Sequence, residues 1–257
     1  MELLNADDIT MKFGGLTAVS NFKLKIFPGE LVGLIGPNGA GKTTVFNMIT
    51  GIYTPTINKI YFQDEDITGI KPDKIAKAGI ARTFQNIRLL ENLTVIDNVM
   101  IGFHLHLKSS LTSAILRLPN YAREEESIYH KSIELLEKVE LEKCKLEKAG
   151  SLPYGQQRKL EIVRALATGP KLLLLDEPAA GMNPQETKDL MNFIQKIQDD
   201  FNLTVLLIEH DMKVVMGICR RILVMDYGVT IAEGNPAEIQ NNPEVIKAYL
   251  GVDANYA

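Results

Sequence analysis

Leu31-Val32-Gly33-Leu34-Ile35-Gly36-Pro37-Asn38-Gly39-Ala40-Gly41-Lys42-Thr43 runs from an apolar stretch straight into a glycine-rich loop that ends on a Lys-Thr pair. The loop matches G-x-x-x-x-G-K-[ST] in full, a pattern that folds a backbone around phosphate. Gly36, Gly39 and Gly41 free the main chain to turn its N–H groups inward, Lys42 reaches the terminal phosphates, and the Thr43 hydroxyl can ligate Mg²⁺. A plain turn between a strand and a helix would need one or two glycines and no Lys-Thr pair. Helical spacing follows the loop at Val45, Met48 and Ile49, closed by Gly51. The stretch is therefore expected to hold nucleotide phosphates, with Pro37, Asn38, Ala40 and Thr44 completing the cradle.

At 257 residues, 46% of them hydrophobic, the chain can bury a large α/β core without disulfide staples. A net charge of −4 advertises neither nucleic acid nor an anionic membrane surface. Cys144 and Cys219 lie far apart, which suits a reduced cytosolic protein. Met1 to Asp8 lacks a basic segment and a long apolar run, so no signal peptide is expected. No stretch approaches the ~20 apolar residues of a membrane span. A membrane role would have to come through a partner.

Working outward, Leu3 to Phe13 alternates, Gly14-Gly15 turns, and Phe22 to Ile26 alternates again, predicting an antiparallel region ahead of the loop. Lys59 to Gln63 reads as a further strand and Pro72 to Ala78 as a short helix entered from Lys71. From Asn86 to Leu166 helical periodicity takes over. Tyr129, Ile133, Leu136 and Val139 recur at three- and four-residue spacing within Glu124 to Lys148, and Glu124-Glu125-Glu126 reads as a solvated helix start. Leu172 to Leu175 and Thr204 to Ile208 are unbroken apolar runs of the kind parallel strands buried on both faces produce. A helix over Glu186 to Asp199 separates them; Ile222 to Met225, the Tyr227-Gly228 turn and a helix over Glu244 to Leu250 close the chain. The expected fold is α/β: a P-loop nucleotidase core with a mostly parallel sheet, an N-terminal antiparallel β region and an inserted helical lobe.

Asp176-Glu177 follows Leu172 to Leu175 directly, at the carboxyl end of a buried strand where open α/β sheets bind ligands. Asp176 there suits a hold on Mg²⁺, and Glu177 can orient or deprotonate the water that attacks the γ-phosphorus. An acidic helix cap would not need four leucines before it. His210 follows the next apolar run, and on spacing alone a lone histidine at a strand end is more often structural or solvated than a phosphate sensor. Gln85, in Arg82-Thr83-Phe84-Gln85-Asn86, stands at the junction with the helical block and on its own is unremarkable.

Taken in order, the loop at Gly36, Gln85, Leu152-Pro153-Tyr154-Gly155-Gln156-Gln157, Leu172 to Glu177 and His210 closely resemble the nucleotide-binding subunit of an ABC transporter over essentially the whole chain. The resemblance implies one ATPase domain over residues 1–257, with 1–85 and 167–257 as core and 86–166 as helical lobe. It implies ATP and Mg²⁺ as cofactors, Phe13 stacked on adenine, Thr43, Gln85 and Asp176 around the metal, and Glu177, His210, Gln85 and Lys42 as the catalytic set. Leu152, Pro153, Tyr154, Gly155 and Gln156 become the signature loop, which acts on ATP held by the opposite subunit of a head-to-tail pair. The usual family sequence there is Leu-Ser-Gly-Gly-Gln; Pro153 replaces the serine and Tyr154 the first glycine, leaving the Gly155 N–H and the following helix N-terminus to serve alone. Asn183 likewise stands where the family usually has Asp.

Leu152 to Gln157, Asp176 to Pro184, Ile208 to Lys213, Gly79 to Arg88 and the ending Asn241 to Gly251 look like the ATPase subunits of branched-chain amino-acid importers. That kinship implies transmembrane permease subunits, a second ATPase subunit and an extracytoplasmic solute-binding protein as partners, no nucleic acid, and a place on the cytoplasmic face of the plasma membrane. The permease would dock beside the Gln85 loop, in a groove lined by Leu89 to Met100. The chain has neither the second such domain nor the coiled-coil insertion of soluble ABC ATPases in DNA repair or translation. A P-loop kinase would have no use for the Gln85, signature and His210 set, and a nucleotide switch would not need Glu177.

Overall fold

The computed structural model describes residues 1–107, 109–116 and 118–250. Strands β1 (Leu4–Phe13) and β2 (Leu16–Ile26) form the expected hairpin about Gly14-Gly15. β3 (Leu31–Ile35) leaves that sheet, and the phosphate loop after it delivers the chain into α1 (Lys42–Ile49). Next come β4 (Ile60–Phe62), β5 (Glu65–Asp66), α2 (Pro72–Ala78, with Lys71 as N-cap) and a short strand the sequence pattern did not mark, β6 (Ile80–Arg82).

The helical stretch then holds α3 (Val95–Phe103), α4 (Leu111–Ile115), α5 (Pro119–Lys138) and α6 (Tyr154–Leu166). The expected face of α5 is corrected here. Leu136 and Val139, the C-cap, are buried in the lobe core and Ile133 packs against it as expected, but the helix starts at Pro119, Tyr129 is exposed, and Ile128, Ser132 and Leu135 turn inward as well. Period alone could not tell Tyr129 from Ile128, because adjacent positions differ by only ~100° around the axis. Nor are Glu124 and Glu125 merely solvated: Glu124 accepts from the Ser109 N–H at 3.0 Å and Glu125 lies 3.1 Å from His104 Nε2.

The last third alternates β7 (Leu172–Asp176), α7 (Pro184–Phe201), β8 (Thr204–Ile208), α8 (Met212–Ile218), β9 (Arg221–Asp226) and β10 (Val229–Gly234), then α9 (Pro236–Gln240) and α10 (Pro243–Leu250). Helices α8 and α9, begun by the side-chain caps of Asp211 and Asn235, were not foreseen. Two sheets result, one ordered β2-β1-β4-β5 and the other β10-β9-β3-β8-β7-β6, parallel except for β10.

The parallel strands read as apolar runs because both of their faces are covered. Leu31, Ile35, Leu173, Leu175, Val205 and Leu207 enter one hydrophobic cluster with α3, α5, α6, α7 and α8. Their neighbours Val32, Leu34, Leu172, Leu174, Leu206 and Ile208 enter the other, with α1 and the antiparallel sheet. Arg221 ties the two sheets, its guanidinium donating to the Lys25 carbonyl at 2.5 Å and to Glu30 and Glu233, each at 2.7 Å. Cys144 and Cys219 are free thiols. Among the described residues no helix is long and apolar enough to cross a membrane.

Candidate active site

β3, β7 and β8 are adjacent and parallel, so the phosphate loop, Asp176-Glu177 and Glu209-His210 all leave the sheet at its carboxyl edge. The loop needs its glycines. Gly36 has φ +149°, and a Cβ there would fall 2.0 Å from the Met225 carbonyl oxygen; at Gly41, φ +101°, it would fall 2.8 Å from that of Ala18. Gly41 caps α1 without a side chain, so the first-turn N–H groups of Lys42, Thr43 and Thr44 remain directed at whatever enters the loop. Lys42 is 6% exposed and donates to the Gly36 and Pro37 carbonyls at 2.7 and 3.0 Å. Burial lowers its pKa, against the opposing fields of Glu177 and Asp176.

A cleft of about 310 Å³ covers the loop from Asn38 to Thr44, with Glu177 on its far wall. Leu16 to Ala18 and Tyr227, which sequence reading had not singled out, also line it. Tyr227 is 90% exposed at the β9–β10 turn, and that turn is bonded into the loop through Gly228 N–H to the Ala40 carbonyl at 3.0 Å. The signal was the Tyr227-Gly228 turn itself, legible as a turn but not as a neighbour of residue 40. Phe13 sits just outside, at the tip of the first hairpin, 41% exposed and edge-on to Tyr53 at 5.1 Å.

Gln85, Glu177 and His210 converge. Gln85 Nε2 donates to Glu177 Oε2 at 2.7 Å, and His210 Nδ1 lies 3.7 Å from the same oxygen. Glu177 holds φ +45°, unusual for a residue with a side chain and of the kind that gathers at functional sites. Its N–H continues the β7–β8 ladder to the Ile208 carbonyl at 2.9 Å, which over-determines the strained turn.

Asp176 is paired with Arg82, 2.6 Å apart with both side chains 8% exposed, and Arg82 also donates to Asn47 Oδ1 at 2.7 Å. Sequence reading had quoted Arg82 only as a family mark. Glu209, 1% exposed, accepts from the Ala179 N–H at 2.9 Å, and burial raises its pKa. Among the described residues no three His, Cys, Asp or Glu side chains cluster as a self-sufficient metal cage. Mg²⁺ takes one or two protein oxygens and completes its shell with water and phosphate. The exposed Thr43 hydroxyl has no hydrogen-bond partner among the described residues, and Gln85 and Asp176 add oxygen donors of the hard kind the ion prefers.

The loop Leu152 to Gln156 does not line this cleft. Pro153 is the N-cap of α6 and suits a helix start, its φ of −54° being close to the value its ring imposes. Asn183 caps α7, accepting from Gln185 and Glu186 N–H groups at 3.0 Å each. The groove next to the Gln85 loop, of about 440 Å³, is lined not by Leu89 to Met100 but by α2, Arg82, Phe84, Ile101, Leu105 and Arg164. Leu89 and Met100 instead pack against the lobe's own core, as apolar residues on a helix-rich segment do when a sheet edge is near.

The sequence model of the family described as ABC transporter matches residues 19–180, and one described as branched-chain amino acid ATP-binding cassette transporter matches 229–255. The high-affinity branched-chain amino acid transport ATP-binding protein LivG of Escherichia coli is 47% identical over 97% of this chain and 98% of its own. The corresponding protein BraF of Pseudomonas aeruginosa is 47% identical with the same coverage. Among solved structures, the ADP conformation of MJ1267, an ATP-binding cassette of an ABC transporter, superposes with a TM-score of 0.86 at 34% identity, covering 98% of this chain and 100% of that one. A dimeric post-hydrolysis cassette, MJ0796 bound to ADP and Pi, gives 0.73 at 26% identity, covering 91% and 98%.

Proposed function

The chain belongs to the ABC transporter family, and on that premise we propose that it is the ATPase subunit that powers an importer of branched-chain amino acids. The observation that carries the hydrolytic part is the meeting of Gln85, Glu177 and His210 across the cleft from Lys42. The substrate class rests on the names of the relatives and on the match over residues 229–255.

Residues Gly36 to Thr44 bind the phosphates, and Phe13 stacks on the adenine above the hairpin. Lys42 exchanges its two loop carbonyls for phosphate oxygens, so its charge is already aimed at the γ-position and little reorganisation is needed. Thr43 and Gln85, with Asp176 behind them, would hold Mg²⁺, which would supply neutralising charge at the phosphates. Glu177 accepts the proton of the attacking water, while Gln85 and His210 fix the carboxylate's direction from two sides. Phosphoryl transfer asks for position and field rather than covalent help, so the set is sufficient.

Leu152 to Gln156 serves a nucleotide on a second ATPase subunit, and the free N–H groups at the start of α6 supply what the missing serine would have. Closure and reopening of the pair drive the permease, which docks in the groove between α2 and α3 at the root of the Gln85 loop. An extracytoplasmic binding protein delivers the amino acid. On this reading the chain works at the cytoplasmic face of the plasma membrane. The test is reconstitution: phosphate release from Mg-ATP by the purified chain, and its rise when the co-purified permease and loaded binding protein are supplied. No hydrolysis in either setting, or recovery only on nucleic acid, overturns the proposal.

A further inference from the structure

Tyr154 stands where the usual signature of the wider family has its first glycine, and it does not line the nucleotide cleft of its own chain. Its hydroxyl donates to the Ala180 carbonyl at 3.0 Å, in the loop that follows Glu177. The same oxygen accepts from Arg158 Nη2 at 3.4 Å, with the guanidinium 6.0 Å from the ring centroid. Arg158 is fully buried, one turn along α6, and its other bonds run to the Gln85 loop: Nη1 to the Phe84 carbonyl at 2.8 Å and Nη2 to the Gln85 carbonyl at 2.7 Å. Glu161 balances its charge at 2.7 Å and also accepts from the Arg88 N–H at 3.1 Å.

A continuous line of hydrogen bonds therefore joins the backbone of Gln85, through Arg158 and the phenol of Tyr154, to the backbone of Ala180. The phenol accepts from a cation and donates onward, so each bond polarises the next. The far side of the same loop is held by Glu209 through the Ala179 N–H at 2.9 Å. Gly181 follows at φ +78°, and a Cβ there would lie in ordinary contact, 3.8 Å, with the Tyr154 hydroxyl, so the phenol sits directly beside this turn.

We propose that Tyr154 is a positioning residue that couples the Gln85 loop to the 178–183 loop, so that these two segments and the N-terminus of α6 move as one body on nucleotide binding. A glycine at this position leaves α6 tied to the Gln85 loop alone. The link rests on the ATPase reading above for its consequence in turnover, but not for its existence.

The test uses the full chain with its permease and the variants Tyr154→Phe and Tyr154→Gly. Loss of one such hydrogen bond is expected to lower kcat about three- to tenfold in both variants. KM for Mg-ATP should move less than the turnover does, because Tyr154 is outside the cleft of its own chain and both variants keep the α6 backbone N–H groups offered to the second subunit's nucleotide. Amide exchange of residues 179–183 should quicken in both, with the Phe variant's melting temperature held. A Phe variant with the wild-type kcat, or one that loses kcat with unaltered exchange at 179–183, overturns the proposal. A wild-type chain that hydrolyses nothing counts against the ATPase reading instead, and the exchange measurement then decides the link by itself.

Discussion

Gln85 Nε2 and Glu177 Oε2 stand 2.7 Å apart although 92 residues separate them in the chain. The bond takes up one carboxylate oxygen and leaves the other for water, and it joins the groove at the root of the Gln85 loop to the hydrolytic centre by a single contact.

Glu177→Gln keeps the shape of that centre and removes the proposed base. ATP binding is expected to persist while kcat falls by roughly 10²- to 10⁴-fold, the usual worth of a positioned general base. ATP-bound dimers should accumulate. Phosphate release and size-exclusion chromatography in Mg-ATP check both, and undiminished turnover would remove Glu177 from the chemistry.

Arg82→Ala strands Asp176 in an interior where the two side chains are each 8% exposed. Breaking one partner of a buried pair costs about 3–5 kcal/mol, so urea unfolding should show a loss of that order. Asp176→Asn keeps an oxygen acceptor for Arg82 and should cost less. Equal stability of wild type and Arg82→Ala would contradict the pairing.

Phe13→Ala removes a ring from the rim of the cleft. If it faces adenine, the Kd for ATP rises about tenfold, within the ~1–3 kcal/mol of a base stacked on an aromatic side chain. Phe13→Tyr should bind as wild type does. Titration calorimetry reads the difference, and an unchanged Kd for the Ala variant would return Phe13 to its contact with Tyr53 alone.

Glu209 is buried, and burial raises its pKa in the folded chain. The folded state thus holds that proton more tightly than the unfolded state. Its contribution to stability is complete below the ordinary glutamate value near 4.5 and is lost as pH rises through the raised value. The unfolding free energy of wild type relative to Glu209→Gln should therefore fall between pH 4.5 and pH 7.5, whatever the offset between them. A difference that grows with pH would reverse the assignment.

Burial also holds both thiols up, Cys219 far more than Cys144. A maleimide at neutral pH should label Cys144 slowly in the native protein and Cys219 only after unfolding, as read by peptide mass spectrometry. Native labelling of Cys219 would contradict its position under β3, where a Cβ on Gly33 would meet its sulfur at 3.1 Å.

Much of the fold was legible because its signals are local. A phosphate loop lies within nine consecutive residues, and a strand buried on both faces is a run of leucines whatever covers it. The helix from Pro72 and the strand over Leu172 to Leu175 follow from residues in direct succession. Strand β6 escaped because three residues, Ile80 to Arg82, make too short a run to show a period. The inward face of α5 was legible at Leu136 and Val139 but misplaced at Tyr129, because a periodic reading accepts either of the adjacent residues Ile128 and Tyr129, and only Ile128 is buried.

The sequence by itself determined the chemistry at each point: which loop cradles phosphate, which strand ends in carboxylates, and that Pro153 and Tyr154 depart from the usual signature. Only the tertiary structure decided which of these groups hold one another. Arg82 meets Asp176 across 94 residues, Arg158 meets Gln85 across 73, and Tyr154 meets Ala180 across 26. A hydrogen bond depends on a few tenths of an ångström between atoms, set here by the register of β6 on β7 and by the packing of α6 against the Gln85 loop. No spacing along the chain carries that distance, because it is fixed by how the elements stack rather than by the order in which they are made.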